Sequence, residues 1–314
     1  ATGTGFPFTG SAEVTGSVDV IGSVQFGYDN LTTVGGWSTG GNMIIARDRA
    51  AGTGTQTAAL SIGGDAPGGL TAATEEYNGV AQTWSAGGAM INTRQFFAAA
   101  GTQTAGLAFG ASAAAKRNLT EEYNGVAQTW SAGGTLIIGR SALAGAGTQT
   151  AGLAIGGRTP ATTNVTEEYN GVANTWSAGG NLAIARYFIA GGGTQTSALG
   201  FGGNAGAGRT NATEEWGVTP VTPPTTGGAW SAGGNMSIAR YFSAGAGTQA
   251  AALAFGGNSG IATEEYNGVA NTWSPGGNMI TGRTTLAGAG TQTAALAFGG
   301  STPALSNATE EYNG

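Results

Sequence analysis

The stretch RSALAGAGTQTAGLAIGGRTPATTNVTEEYNGVANTWSAGGNLAIAR, residues 140–186, decides the fold, because its landmarks return six times along the chain. A Trp-Ser pair is followed ten residues later by an Arg, and seven residues after that by a Gly-Thr-Gln turn. Nine residues further come two small residues, Gly-Gly or Gly-Ala, and a segment of variable length then ends in Thr-Glu-Glu-aromatic. Self-similarity of this kind marks a repeat architecture built from one supersecondary unit.

The landmarks keep one register from the first repeat to the last. The six Trp residues are Trp37, Trp84, Trp130, Trp176, Trp230 and Trp273. The six Arg residues are Arg47, Arg94, Arg140, Arg186, Arg240 and Arg283. The aromatics after the Glu pair are Tyr77, Tyr123, Tyr169, Trp216, Tyr266 and Tyr312.

Each repeat predicts four short strands. The first follows the Arg, as in residues 187–190, and the second follows the Gly-Thr-Gln turn, as in residues 151–155. Thr-Glu-Glu-Tyr forms the third strand, an Asn-Gly pair indicates a two-residue turn, and the Trp lies in the fourth strand. Strands of about five residues between Gly-rich turns, at a period of about 46, are typical of four-stranded propeller blades.

This pattern resembles the kelch motif over residues 37–314: an initial Arg, a double Gly after the second strand, a Tyr in the third and a Trp about seven residues later. The resemblance implies an all-β, six-bladed kelch-like β-propeller. The Trp37 segment lacks three preceding strands, whereas the last repeat, residues 283–314, ends before its Trp. We therefore expect residues 36–40 to pair with residues 309–313 and close the ring, which leaves no open edge there.

A different pattern occupies the N-terminal leader. Gly-Ser recurs there every six residues, at Gly10, Gly16 and Gly22, and small or apolar residues alternate with polar ones. This predicts a hexapeptide-repeat β extension over residues 1–27, followed by the propeller over residues 28–314. The apolar face needs cover, so the leader is either an oligomerising stalk, with a trimer as one such assembly, or a strand lying against the propeller.

Composition excludes several classes of function. The chain has no Cys and no His, so it offers no thiol nucleophile or soft metal site, and we expect no metal or cofactor. The net charge is −6 and Lys116 is the sole Lys, which argues against a nucleic-acid partner. No apolar run reaches the roughly 18 residues of a membrane span.

Most charged residues belong to the repeat. The Glu pairs contribute 12 of the 17 acidic residues, and the repeated Arg contributes 6 of the 11 basic ones. Two interpretations stay open for these charges: an interblade polar network, or solvated side chains at the blade edges, where ion pairs contribute little. The repeated Trp and Tyr are expected to pack between neighbouring sheets.

The repeats differ most between the second and third strands. These connections are residues 65–73, 112–119, 158–165, 204–212, 258–262 and 301–308, and in a propeller they lie on one face. They carry the candidate recognition residues Lys116, Arg117, Arg158 and Arg209. A Pro/Thr-rich insertion between Trp216 and Trp230 predicts an extended loop, which is either an interaction loop or a tolerated insertion.

We expect no enzymatic activity. Adjacent Glu side chains point to opposite faces of a strand, and the pair recurs in every repeat, so no catalytic pair of carboxylates is singled out. The units GTQTAALAFGG and TEEYNGVANTW, joined to the leader, also resemble kelch-like structural proteins of marine bacteriophages.

That resemblance implies a tail fibre, spike or head-surface protein at the virion surface or otherwise extracellular. Its implied partners are further copies of itself, other virion proteins, and a host surface glycan or envelope protein. Two alternatives remain: a purely architectural capsid-decoration or filament subunit, and a secreted carbohydrate-active enzyme.

Overall fold

The computed structural model describes residues 35–112, 117–217, 228–258 and 260–314. All of the regular secondary structure in these ranges is β-strand. Accordingly, no described segment is a helix with the length and apolarity needed to cross a bilayer. The predicted leader, Lys116 and most of the Pro/Thr-rich insertion lie outside the described residues, so the predictions made for them stay predictions.

Six four-stranded antiparallel sheets form the blades of a propeller. In blades 1 to 6 the inner strands are Ala51–Gly54, Ala98–Gly101, Ala144–Gly147, Ala190–Gly193, Ala244–Gly247 and Ala287–Gly290. The second strands are Ala59–Ile62, Ala105–Phe109, Gly152–Ile155, Ser197–Phe201, Ala251–Phe255 and Ala294–Phe298. The third strands are Thr74–Asn78, Thr120–Asn124, Thr166–Asn170, Thr213–Gly217, Thr263–Asn267 and Thr309–Asn313. The outer strands are Thr83–Ala86, Thr129–Ala132, Thr175–Ala178, Ala229–Gly233, Thr272–Pro275 and Gly36–Thr39.

The ring closes through the first and last described strands. Gly36–Thr39 pairs with Thr309–Asn313, with Trp37 opposite Tyr312, and so supplies the outer strand of blade 6. Each inner strand contacts the inner strand of the next blade, and the last contacts the first. This is the pairing that the truncated first and last repeats predict, and it leaves no unpaired edge at the junction.

The predicted position of the first strand was wrong by three residues. In blade 4 the strand begins at Ala190 rather than at Tyr187. Phe188 has a φ of 52°, in the left-handed region, which is incompatible with an extended strand. The residues between each Arg and its inner strand therefore form a separate element at one end of the blade.

The Asn-Gly turn is also longer than predicted. In blade 3, Asn170 pairs with Thr175, so four residues lie between the third and outer strands instead of two. Asn170 Oδ1 accepts hydrogen bonds from the backbone N–H groups of Val172 and Ala173, both at 3.0 Å. The left-handed residue is Asn174, with a φ of 56°. The Asn side chain, and not a tight two-residue turn, organises this connection.

Aromatic side chains pack between neighbouring blades, as predicted. The Trp84 ring centroid lies 5.0 Å from that of Tyr77 in the same blade and 5.0 Å from that of Phe298 in blade 6. Its indole N–H donates to Thr309 Oγ1 of blade 6 at 3.0 Å. Each Trp thus bridges two sheets with both apolar area and a satisfied polar group.

The Gln of the Gly-Thr-Gln turn links each blade to the preceding one. Gln103 Nε2 donates to the backbone carbonyls of Ala59, at 3.0 Å, and of Tyr77, at 2.7 Å, both in blade 1. Equivalent bonds to the preceding blade come from Gln56, Gln149, Gln195, Gln249 and Gln292. The turn is constant in sequence because its amide satisfies carbonyls of the neighbouring sheet.

The repeated Arg forms a buried ion pair with the first Glu of its own blade. Arg94 Nη2 lies 2.9 Å from Glu121 Oε1, and the two side chains are 0% and 2% exposed. Burial lowers the pKa of Arg94 to about 10, and the charge of Glu121 opposes that shift. The solvated interpretation of these charges is therefore wrong, because both members of the pair are shielded from water.

The second Glu of each pair supplies the interblade part of the network. Glu76 Oε1 accepts a hydrogen bond of 2.7 Å from the Tyr123 hydroxyl of the next blade. Burial, together with this bond, raises the pKa of Tyr123 to about 12. The two adjacent Glu residues thus lie on opposite faces of one strand and have different partners: the first pairs with the Arg of its own blade, and the second accepts from the Tyr of the next blade.

One junction departs from this rule. Trp216 stands where the other five repeats have Tyr, so Glu168 has no hydroxyl donor and its Oε1 atom is buried without a partner. Burial raises the pKa of Glu168, opposed by a backbone hydrogen bond from Gly228. A raised pKa in the folded state means that this carboxylate destabilises the protein as the pH rises through that pKa.

Replacing Glu168 with Gln is expected to stabilise the protein at pH 7, by up to about 1 kcal/mol because the site is only part-buried. The gain should vanish as the pH falls below the ordinary pKa of Glu, about 4.3. There the Glu168 carboxyl of the parent is protonated in both the folded and the unfolded state. Urea unfolding at pH 4 to 8 checks this. The matched control is Glu122→Gln: Glu122 Oε1 accepts from the Tyr169 hydroxyl at 2.6 Å, so that variant should lose stability. A loss from both variants would contradict the explanation.

Candidate functional site

One end of the propeller carries the variable connections between second and third strands; we call it the loop face. There the segments joining second to third strands meet the segments that lead from each outer strand to the next inner strand. Single bridges join them, between Asp48 and Asp65, Ser141 and Arg158, Tyr187 and Asn204, and Thr284 and Ser301. Two-stranded hairpins shape three of the loops: Asp65–Ala66 with Gly69–Leu70, Arg158–Thr159 with Ala161–Thr162, and Ser301–Thr302 with Ala304–Leu305.

The buried ion pairs hold the bases of these loops. Arg94 Nη1 donates to the backbone carbonyls of Gly110, at 3.3 Å, and Leu119, at 3.0 Å, which flank the second-to-third connection of blade 2. Glu121 accepts from the Ile91 N–H at 2.7 Å and from Asn92 Nδ2 at 3.2 Å, in the linker from blade 1. The loop tips can therefore vary in sequence while the framework beneath them stays fixed.

A collar of six residues surrounds the central channel at the loop face. Each lies two positions after a repeated Arg, and all have φ between 52° and 58°: Arg49, Phe96, Ala142, Phe188, Phe242 and Thr285. Backbone hydrogen bonds run around the axis, including those from Ala142 N–H to Phe96 O at 2.8 Å and from Phe188 N–H to Ala142 O at 2.7 Å. This left-handed conformation is strained for non-Gly residues, and the bonded collar holds it in place.

Three of the collar side chains are Phe, and they converge over the channel. The ring centroid of Phe188 lies 4.0 Å from that of Phe242 and 5.1 Å from that of Phe96. Tyr187 and Tyr241 extend this cluster outward, with centroids 4.9 Å from Phe188 and 4.5 Å from Phe242, respectively. These five aromatic residues, none of them fully buried, form what we call the aromatic mouth.

Two cations flank the aromatic mouth. The Arg49 guanidinium lies 5.2 Å from the Phe96 ring centroid, and its Nη1 lies 2.8 Å from Asp65 Oδ2. The Arg158 guanidinium lies 5.2 Å from the Tyr187 ring centroid and 5.7 Å from that of Phe188. Arg158 is exposed and forms no ion pair with a described residue, so its charge remains available to a ligand on the rings.

The predicted recognition residues occupy three separate places. Arg158 joins the aromatic mouth. Arg209 is exposed beside a cleft between the loops of blades 4 and 5. Arg117 is half-buried, and its Nε donates to Ser112 O of its own loop at 3.4 Å. Lys116 lies outside the described residues. The structure therefore does not bring the described members together into one basic cluster.

The described residues hold no cluster of metal-ligating side chains. No group of three or more His, Cys, Asp or Glu side chains converges among them. Two carboxylates come near each other at the loop face, Asp48 and Asp65, but Asp48 is only 4% exposed. Burial raises the pKa of Asp48, opposed mainly by the charge of Arg49. A carboxylate covered in this way has no access to a glycosidic bond of a bound sugar.

The sequence matches no protein-family model and no curated protein. Among solved structures, one titled "Structure of YjhT" superimposes with a TM-score of 0.69 at 12% sequence identity, covering 86% of this chain and 95% of that one. The protein has a six-bladed β-propeller fold. At this level of identity the propeller likeness concerns the fold alone.

The aromatic mouth was missed by the sequence reasoning. Residues 187–190 were interpreted as a strand, so Phe188 was not considered as a surface residue. A signal was nevertheless present, because the second position after the Arg holds Arg, Phe, Ala, Phe, Phe and Thr in successive repeats. A position that varies inside an otherwise constant repeat indicates an exposed side chain that the packing of the blades does not constrain.

Proposed function

We propose that this protein is a non-enzymatic recognition module of a virion surface appendage, of the tail fibre or spike type, and that its loop face binds host surface glycans. The observation that carries the proposal is the aromatic mouth with exposed Arg158 beside it, placed at the centre of the face where the repeats vary. The constant residues elsewhere serve the framework, so selection for binding would act on this face.

The chemistry of the mouth suits a saccharide. The C–H-rich face of a pyranose packs favourably on the electron-rich face of an aromatic ring. The same electron-rich face attracts cations. Tyr187 and Tyr241 add hydroxyls at the rim, and Arg158 donates hydrogen bonds to sugar oxygens. Apolar and aromatic walls with a few convergent polar groups are the usual features of small-ligand sites.

The opposite end of the propeller suits attachment. Its Gly-Thr-Gln and Asn-Gly turns contain no charged residue, although the chain has a net charge of −6. Four turns present a Val that is 91–96% exposed: Val80, Val126, Val172 and Val269. This end would face other virion proteins or further copies of the chain, and a homo-oligomer, such as a trimer joined through the leader, would multiply weak glycan contacts by avidity.

Kelch identity and a bacteriophage origin belong to this proposal, resting on the repeat landmarks and the hexapeptide leader. A purely architectural capsid-decoration or filament subunit is the second candidate, and the uncharged turns with exposed Val favour it. The two differ in what the loop face does: it stays exposed in an adhesin, whereas in an architectural protein it is buried between subunits.

A glycan array tests the proposal directly. The parent protein is expected to bind a defined subset of glycans, and Phe188→Ala with Phe242→Ala should reduce those signals at least about tenfold, since each lost aromatic contact contributes about 1 kcal/mol or more. A second variant replaces Lys116, Arg117, Arg158 and Arg209 together, and it should also reduce those signals. The matched control is Val80→Thr at the opposite end. An array without signal, or signals unchanged in both loop-face variants, would overturn the proposal.

A further inference from the structure

The loop face is not symmetric, because two of the six repeats lack an exposed Ile that the other four carry at one position. Seven residues after each Trp, four repeats carry an Ile that is 56–61% exposed: Ile44, Ile91, Ile137 and Ile280. The two remaining positions hold Ala183 and Ser237, at the junctions of blades 3 with 4 and of blades 4 with 5. In those two repeats an Ile follows one residue later, Ile184 and Ile238, and these are 40% and 45% exposed. These junctions border Arg158 and Arg209, respectively.

A second departure occurs at the junction of blades 4 and 5. The connection between the second and third strands holds five residues in blade 5, compared with eight or nine in the other blades. Gly260 N–H donates to Gly257 O at 2.7 Å and turns the short chain back on itself. With Ser237 in place of the shared Ile and a shorter loop beside it, this junction contains a cleft of about 510 Å³.

The cleft has one free charge. Its walls include Ile238, Ala239 and Gly257, and the exposed Arg209 lines one side. A backbone bridge to Asn204 fixes Arg209 in its loop. No described carboxylate pairs with its guanidinium, whereas Arg240 at the base is buried and paired with Glu264 at 2.7 Å.

We propose that this cleft is a binding subsite for an anionic saccharide residue, in which Arg209 binds the carboxylate. The volume fits a monosaccharide, since ligand sites commonly measure about 300–1,000 Å³. A planar guanidinium with no internal partner pairs with a carboxylate through two parallel N–H···O bonds. Ser237 Oγ, whose hydroxyl donates to Glu264 Oε2 at 2.7 Å, can accept a hydrogen bond from a sugar hydroxyl, and Ile238 supplies an apolar wall. This inference rests on the proposed glycan recognition and names the class of sugar.

The test uses the chain of residues 1–314 and three probes, sodium D-glucuronate, D-glucose and sodium sulfate, with binding measured by ligand-observed NMR. The parent is expected to bind glucuronate with a Kd in roughly the millimolar range, and glucose and sulfate at least about tenfold more weakly. Arg209→Ala should weaken glucuronate binding at least about tenfold, because hydrogen bonds between two charged groups are about twice as strong as those between neutral groups.

Ser237→Ile provides an independent test, since it restores the residue found at four other junctions and so suits the fold. It should fill the cleft and abolish glucuronate binding, whereas Ala183→Ile, the matched control at the neighbouring junction, should leave binding unchanged. Absence of glucuronate binding by the parent, equal binding of glucose, or full binding by Ser237→Ile would overturn the proposal. None of these results depends on the aromatic mouth, so array signals lost with Phe188 and Phe242 would still support the glycan function.

Discussion

Replacing Arg94 with Met is expected to lower the free energy of unfolding by about 3–5 kcal/mol, because it leaves the buried Glu121 carboxylate without its countercharge. The carbonyls of Gly110 and Leu119 lose their donor at the same time. These acceptors account for part of that loss, since a buried acceptor without a partner costs about 1–3 kcal/mol at a site that water does not reach. Urea unfolding followed by tryptophan fluorescence measures the loss.

The control for this substitution is Arg209→Met. Arg209 is exposed and has no ion pair among the described residues, so its replacement should change the unfolding free energy by less than about 0.5 kcal/mol. If Arg94→Met were as stable as Arg209→Met, the buried pair would not hold the loop bases as described. The loss should also appear as faster hydrogen exchange in the linker of residues 87–97.

Replacing Trp37 with Ala is expected to release the outer strand of blade 6 from the rest of that blade. Trp37 contacts Tyr312 at 5.1 Å and Phe255 at 5.0 Å between ring centroids, and its indole N–H donates to Thr263 Oγ1 at 3.0 Å. Loss of a large packed aromatic typically costs about 3–5 kcal/mol. Because Gly36–Thr39 is the outer neighbour of Thr309–Asn313, residues 309–313 should exchange amide hydrogens faster in the variant than in the parent.

The matched control for ring closure is Trp176→Ala, the equivalent position in blade 3. It should cost a similar free energy, but without selectively exposing residues 309–313, since residues 171–174 connect the outer strand of blade 3 directly to its third strand. An exposed strand edge also promotes association. Size-exclusion chromatography should therefore show higher-order species for Trp37→Ala before it shows them for Trp176→Ala. Equal exchange at residues 309–313 in both variants would mean that the closing strand has no special role.

Much of the fold could be predicted from the sequence because the constant residues are those that join one blade to another. Trp84 and Gln103 each contact a neighbouring sheet, so their positions recur at fixed spacing. The six modules, their strand content and the pairing of Trp37 with the last blade follow from that spacing alone. The segregation of variable loops on one face follows from the alternation of strand direction.

The site could be predicted only in part. Arg158 and Arg209 were found because they stand out from the repeat in composition. Phe188 could not be placed, because an apolar residue before a strand resembles the strand itself unless its left-handed backbone is known. The cleft beside Ser237 arises from two departures in different repeats, and only their positions in three dimensions show that they border the same space.

The repeated charges were the hardest to interpret. Two adjacent Glu residues in an acidic chain look like a solvated edge, and sequence offers no measure of burial. In the structure Glu121 is buried against Arg94, whereas Glu122 accepts from the Tyr169 hydroxyl of the next blade. The lesson is physical: a charge that recurs in strict register with an opposite charge is more consistent with a paired framework than with a solvated surface.

The central claim is that the loop face, with the aromatic mouth at its centre, is the binding surface. Hydrogen–deuterium exchange with and without the strongest glycan from the array tests it most directly. We predict slower exchange in residues 186–190 and 240–244, and no change in the Gly-Thr-Gln turns at residues 54–58 and 147–151. Protection confined to those turns, with the loop face unchanged, would contradict the claim.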